Sequence, residues 1–195
     1  GVNAALVVST VQGLRSSLII SGELNNEGGV DPKAETIAIG ETMPENVITP
    51  KGGITSAGDL SIEVGFSLVN NKNAILYSDS ELHINAGDDI NNQGLIFSKL
   101  NSGITASGRL INGADENNEA LMLFDSANFA GAESSKLYAD SMENHGVIHS
   151  SNDLAIDTFG INGLVNKNNS SVSSLNSLII DSNEAGDVKN FGDIY

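Results

Sequence analysis

Ile90-Asn91-Asn92-Gln93-Gly94-Leu95-Ile96-Phe97-Ser98 returns as Met142-Glu143-Asn144-His145-Gly146-Val147-Ile148-His149-Ser150, and again as Val188-Lys189-Asn190-Phe191-Gly192-Asp193-Ile194-Tyr195. The shared frame is an apolar residue, a spacer, then Asn-x-Gly-x-Ile ending on an aromatic ring or His. Weaker copies put Asn after an apolar residue at Val69-Asn70-Asn71, Leu110-Ile111-Asn112-Gly113 and Leu164-Val165-Asn166. Taking the last Asn of each copy gives Asn71, Asn92, Asn112, Asn144, Asn166 and Asn190, separated by 21, 20, 32, 22 and 24 residues. A period in the low twenties with one longer interval is a repeat carrying one insertion, and internal repeats govern the reading of a whole chain.

Between the Asn marks the apolar residues fall at every second position. Asp59-Leu60-Ser61-Ile62-Glu63-Val64, Ser80-Glu81-Leu82-His83-Ile84-Asn85, Asp153-Leu154-Ala155-Ile156-Asp157 and Ser177-Leu178-Ile179-Ile180-Asp181 all alternate in this way. Alternation marks a strand with one face buried. Gly, Asn, Ser and Asp separate the strands, as turn residues do. No window carries a capped 3.6-residue period, so helices should be scarce. A unit of this size cannot bury its apolar face alone, but stacked units bury a continuous core.

The expected fold is therefore all-β, a right-handed parallel β-helix of about 20–24 residues per coil. Leu82, Ile84, Ile90, Ile96, Ile104 and Leu110 should point into its lumen, and Glu81, His83 and Asn85 outward. The leucine-rich frame and the calcium-binding Gly-Gly-x-Gly-x-Asp nonapeptide are both missing from the sequence.

These Asn-x-Gly-x-Ile corners alternating with Leu-x-Ile strands resemble the filamentous-haemagglutinin repeats of Gram-negative two-partner secretion exoproteins. That group includes large adhesins and contact-dependent growth inhibition exoproteins. The resemblance covers residues 53–195. It implies a right-handed parallel β-helix within a long rod on the bacterial surface, exported unfolded and therefore poor in cysteine. The family's secretion-signal motif is not recognisable, which implies an internal fragment.

The 195 residues read as one solenoid domain. Residues 1–52 are less regular, with all three prolines at Asp31-Pro32, Met43-Pro44 and Thr49-Pro50, so residues 31–52 should be a loop. Regular coils fill 53–112 and 142–195, and 113–141 is an expanded coil. Ser78 to Ala86 aligns with Ser98 to Ala106 at an offset of 20. Leu24-Asn25-Asn26 reads as one more Asn corner.

Composition narrows the function. A formal charge of −16, from 25 acidic against 9 basic residues, argues against nucleic acid, which needs a basic stripe. It argues equally against an electrostatic grip on anionic lipid. Without cysteine there is no disulfide or thiolate chemistry. No apolar run approaches the ~18 residues of a spanning helix, so no membrane insertion is expected.

The Asn series is read as structural, its side chains closing the corners rather than lining up to bind a sugar. His145 and His149 stand four apart, but the His-Glu-x-x-His metal motif is absent. His149 occupies the position of Phe97 and Tyr195, an exposed or stacked aromatic slot. No catalytic, cofactor-binding or metal-ligating residue is assigned.

Candidate partner contacts are Met122, Phe124, Phe129 and Tyr138 in the expanded coil, because an inserted segment often becomes a binding loop. The resemblance implies a secreted, non-enzymatic surface segment, monomeric as a fragment. It would contact a receptor protein or glycan on another cell, or space a distal domain. The alternative is a carbohydrate-active β-helix enzyme using Asp157 and Asp181 from adjacent coils, since glycoside chemistry wants two carboxylates roughly 5–10 Å apart.

Overall fold

Leu82–Ala86 shows how one strand of the repeat is made. Leu82, Ile84 and Ala86 are buried while His83 and Asn85 face solvent, the alternation that the sequence carries. In the computed structural model such strands stack in parallel, among the described residues, into three sheets of eight, seven and seven strands. The structure describes residues 7–8, 16–26, 53–72, 74–114, 120–125, 134–182 and 186–195. Expectations for residues 31–52, including the proline-rich loop, lie outside them.

Each coil contributes one strand to each sheet in turn. Ile75–Ser78 lies in the first sheet, Leu82–Ala86 in the second and Ile90–Asn92 in the third. Leu95–Ser98 then returns to the first sheet, directly beside Ile75–Ser78. The described residues contain strands and no helix. This is a parallel β-solenoid, and a right-handed wind is consistent with it. The offset of 20 is confirmed, with Ile84 opposite Ile104 and Ala86 opposite Ala106.

The lumen holds a single apolar column. Leu82, Ile90, Ile96, Ile104 and Leu110 are fully buried and Ile84 nearly so. Burying such a side chain stabilises the fold by roughly 1.5–3 kcal/mol. Aliphatic side chains in successive coils meet their own counterparts, which is why a strict alternation suffices to specify the register.

The expanded coil is not an excursion as a whole. Leu121–Phe124 is a strand of the first sheet, paired between Leu95–Ser98 and Val147–Ser150. Ser135–Ala139 is a strand of the second sheet. The expanded coil 113–141 thus keeps a strand in the first sheet and a strand in the second.

A second apolar cluster sits on the outer side of the first sheet. Ile75, Leu95, Phe97, Leu121 and Leu123 are buried there, apart from the lumen. Tyr77 and Phe97 stack with ring centroids 5.2 Å apart. The sequence does signal this: Leu95-Ile96-Phe97 and Leu121-Met122-Leu123-Phe124 are continuous apolar runs, and a run without alternation marks a strand buried on both faces.

Candidate functional site

The third sheet ends in every coil on an asparagine, and these side chains form one continuous ladder. The Nδ2 of Asn26 donates to Asn70 Oδ1, Asn70 to Asn92, Asn92 to Asn112, Asn112 to Asn144 and Asn144 to Asn166, each at 2.8 Å. Asn166 donates to Asn190 at 2.9 Å. The five members from Asn70 to Asn166 are wholly buried.

Each amide carries a second duty. Asn70, Asn92 and Asn112 also donate to the backbone carbonyls of Leu95, Leu121 and Val147, all at 3.1 Å. Each of these carbonyls belongs to the first residue of a first-sheet strand one coil further on, so the amide ties the third sheet to the first across the corner. In Asn92 and Asn144 the Oδ1 accepts from the backbone N–H two residues on, at Gly94 and Gly146. That local bond is the Asx-type turn that asparagine favours.

The glycine of Asn-x-Gly answers to space rather than to a left-handed backbone. A Cβ on Gly94 would stand 2.3 Å from the carbonyl oxygen of Ala74, and one on Gly146 2.1 Å from that of Ala120. Among the described residues only Asn169, Gly113 and Gly163 have positive φ.

One expected ladder member is misplaced by a residue. Asn70, not Asn71, is the rung; Asn71 stands beyond the strand, where its side-chain amide bonds the exposed Asn25. The sequence Asn70-Asn71 offers two asparagines, and only the one that keeps strand alternation with Leu68 points inward. Asn92, Asn112, Asn144, Asn166 and Asn190 lie where the spacing puts them.

A serine column escaped the sequence reading. Ser56, Ser78, Ser150 and Ser174 end first-sheet strands, and each hydroxyl donates to the carbonyl three residues on, at 3.2, 2.8, 3.2 and 3.0 Å. The N–H two residues on returns a bond to the same oxygen, as from Ser80 to Ser78 at 3.2 Å. Serine therefore closes the turn from first to second sheet as asparagine closes the turn from third to first. Its visible signal was the Ser78 and Ser98 alignment. Phe124 stands in this column, in register between Ser98 and Ser150.

Two of the candidate contacts are overturned by burial. Met122 and Phe124 are 0% and 1% exposed, with their side chains among the lumen cluster. Strand alternation turns these two inward while Leu121 and Leu123 join the outer cluster. Phe129 lies outside the described residues. Tyr138 is exposed on the outer side of the second sheet, stacked at 4.9 Å against Phe159.

The histidines serve separate partners. His83 Nε2 lies 3.3 Å from Glu81, and His145 Nε2 3.0 Å from Glu143, which also takes Lys167 Nζ at 2.8 Å. Lys167, followed by His145, holds the Glu143 carboxyl below its ordinary range against the opposing effect of burial. His149 does fall in one row with Tyr77, Phe97 and Leu123, but it is buried rather than exposed. Its Nδ1 lies 2.8 Å from Ser173 Oγ, and its Nε2 is buried with no partner among the described residues. Burial pushes its pKa down, opposed by the charge of Asp125. No group of three or more metal-ligating side chains is assembled among the described residues.

Asp157 and Asp181 are neighbours in register on the second sheet, both facing solvent. Among the described residues no helix is long and apolar enough to cross a membrane. The chain matches no family model, no curated protein and no solved structure.

Proposed function

We propose that this chain is a rod-like segment of a secreted bacterial surface protein, of the filamentous-haemagglutinin kind, which spaces a distal domain or contacts a receptor on another cell. The observation that supports it is the Asn ladder running unbroken from Asn26 to Asn190. Such a ladder spends its polar side chains on stacking coils of equal shape, which suits a solenoid whose task is to extend and present. The acidic balance suits a soluble rod.

The test is saturable binding of the purified chain to intact Gram-negative cells. Deletions used to locate a contact should spare Leu121–Phe124 and Ser135–Ala139, because these strands belong to the coil stack. Saturable binding supports receptor contact; none by the folded chain leaves the spacer.

The carbohydrate-active reading keeps one supporting observation, the register of Asp157 with Asp181, whose strands stand about 4.8 Å apart. Polysaccharide turnover lost on Asp157→Asn would favour it.

A further inference from the structure

The three outer faces of the solenoid differ in what they leave open. The first sheet's outer face is occupied by the buried cluster of Ile75, Leu95, Phe97, Leu121 and Leu123. Of the third sheet's outer residues, Val69, Asn91, Ile111, Glu143 and Val165 are partly covered, while Asn25 and Lys189 in its two edge strands are exposed. The second sheet's outer face instead exposes Ile19, Glu63, Asn85, Tyr138, Asp157 and Asp181, in six of its seven strands, with Thr105 partly covered in the seventh. Register puts Tyr138 beside Asp157 and Asp157 beside Asp181, so ring and two carboxylates run in one line across the strands. Ala155 and the exposed Ile179 line up alongside, two residues toward the start of their strands.

We propose that this face of the second sheet docks a Lys/Arg-bearing segment of a partner protein, centred on Tyr138, Asp157 and Asp181. The inference rests on the receptor-contact version of the proposed function and adds the face and the chemistry of the partner. The Tyr138–Phe159 stack fixes a ring whose free side offers a cation–π surface. The carboxylates of Asp157 and Asp181, a strand spacing apart, accept charge-assisted hydrogen bonds from guanidinium or ammonium groups. Ala155 and Ile179 receive the aliphatic stems of such side chains. Lys136 is the one lysine on this stretch, and a chain of net charge −16 disfavours a polyanion.

The test measures affinity of the whole chain for an oligo-arginine peptide in low salt. Tyr138→Ala should weaken binding by about three-fold or more, with Tyr138→Phe retaining it. Asp157→Asn with Asp181→Asn should weaken it by a similar factor or more. Asp88→Asn with Asp193→Asn removes the same charge away from this face and should leave affinity nearly unchanged. Equal losses in both double variants would reduce the binding to net charge and overturn the proposal, as would no binding at all or no loss in Tyr138→Ala. Intact peptide binding without cell binding would instead sink the adhesive reading while leaving this face assigned.

Discussion

Asn112 and Asn144 are joined side chain to side chain at 2.8 Å although 32 residues separate them. The coil between them is longer than its neighbours, yet the rung is the same length as those spanning 20 or 22 residues. The ladder therefore keeps one spacing across the longer coil, as the parallel pairing of the second- and third-sheet strands does.

Removing one rung takes one hydrogen-bond partner from the buried amide on either side of it. Asn112→Ala or Asn144→Ala should cost about 1–3 kcal/mol each, the penalty of an unsatisfied buried polar group. Asn71→Ala, one position off the ladder, should stay within about 0.5 kcal/mol. Urea unfolding of the three variants checks this. Equal effects at Asn71 and Asn112 would show that the ladder does not carry the stability.

Phe124 and Met122 fill the lumen, so their truncation should act on the fold. Phe124→Ala should lose about 3–5 kcal/mol and Met122→Ala about 2–5 kcal/mol. Tyr138→Ala, at the surface, should lose far less. Denaturant midpoints read this directly, and a native midpoint for Phe124→Ala would place that ring outside the core.

The fold was legible because alternation and spacing are one-dimensional signals, each repeated several times. Leu82, Ile84 and Ile104 could each be assigned an inward side from their own strand alone. The candidate site was less legible for a related reason. Ala120-Leu121-Met122-Leu123-Phe124 gives no alternation, so nothing in it says that Met122 and Phe124 face the lumen while Leu121 and Leu123 face the other way. Only pairing with Leu95–Ser98 settles the sides. Asn70 and Asn71 posed the same difficulty on a smaller scale, since either asparagine continues the period to within one residue. The open face of the second sheet was hidden too, because exposure of Tyr138 depends on which faces other segments cover.

His149 sets how stability responds to mild acid. Its folded pKa lies below its ordinary value of 6.5 because burial disfavours the cation. The unfolded chain then binds a proton that the folded chain does not, so stability should begin to fall as pH drops through about 6.5 toward the folded pKa. Glu143 has a folded pKa below its ordinary 4.5, so its contribution is present above pH 4.5 and is lost at more acid pH. His149→Phe places a ring like that of Phe97 in the row and removes only the upper step. Unfolding at pH 7.5, 5.5 and roughly 4 should show native protein weakening already at the middle value, and the variant only at the lowest. Identical pH profiles would assign the loss elsewhere.

Gly94 and Gly146 separate close approach from backbone freedom. An alanine Cβ at Gly94 would meet the Ala74 carbonyl oxygen at 2.3 Å, and at Gly146 the Ala120 carbonyl oxygen at 2.1 Å. Both obstacles are backbone held by the stack: the Ala74 carbonyl accepts from Leu95 and the Ala120 carbonyl from Val147, each at 3.0 Å. Neither can swing aside without breaking the ladder, so Gly94→Ala and Gly146→Ala should each destabilise by about 1–3 kcal/mol or more. Gly22, whose Cβ would meet nothing within 4 Å, provides the control. Gly22→Ala should be neutral or slightly stabilising, through the reduced entropy of the unfolded chain. Thermal melts of the three variants decide the matter: a large loss at Gly22 with none at Gly94 would mean that the corner relaxes and that Asn-x-Gly is kept for another reason.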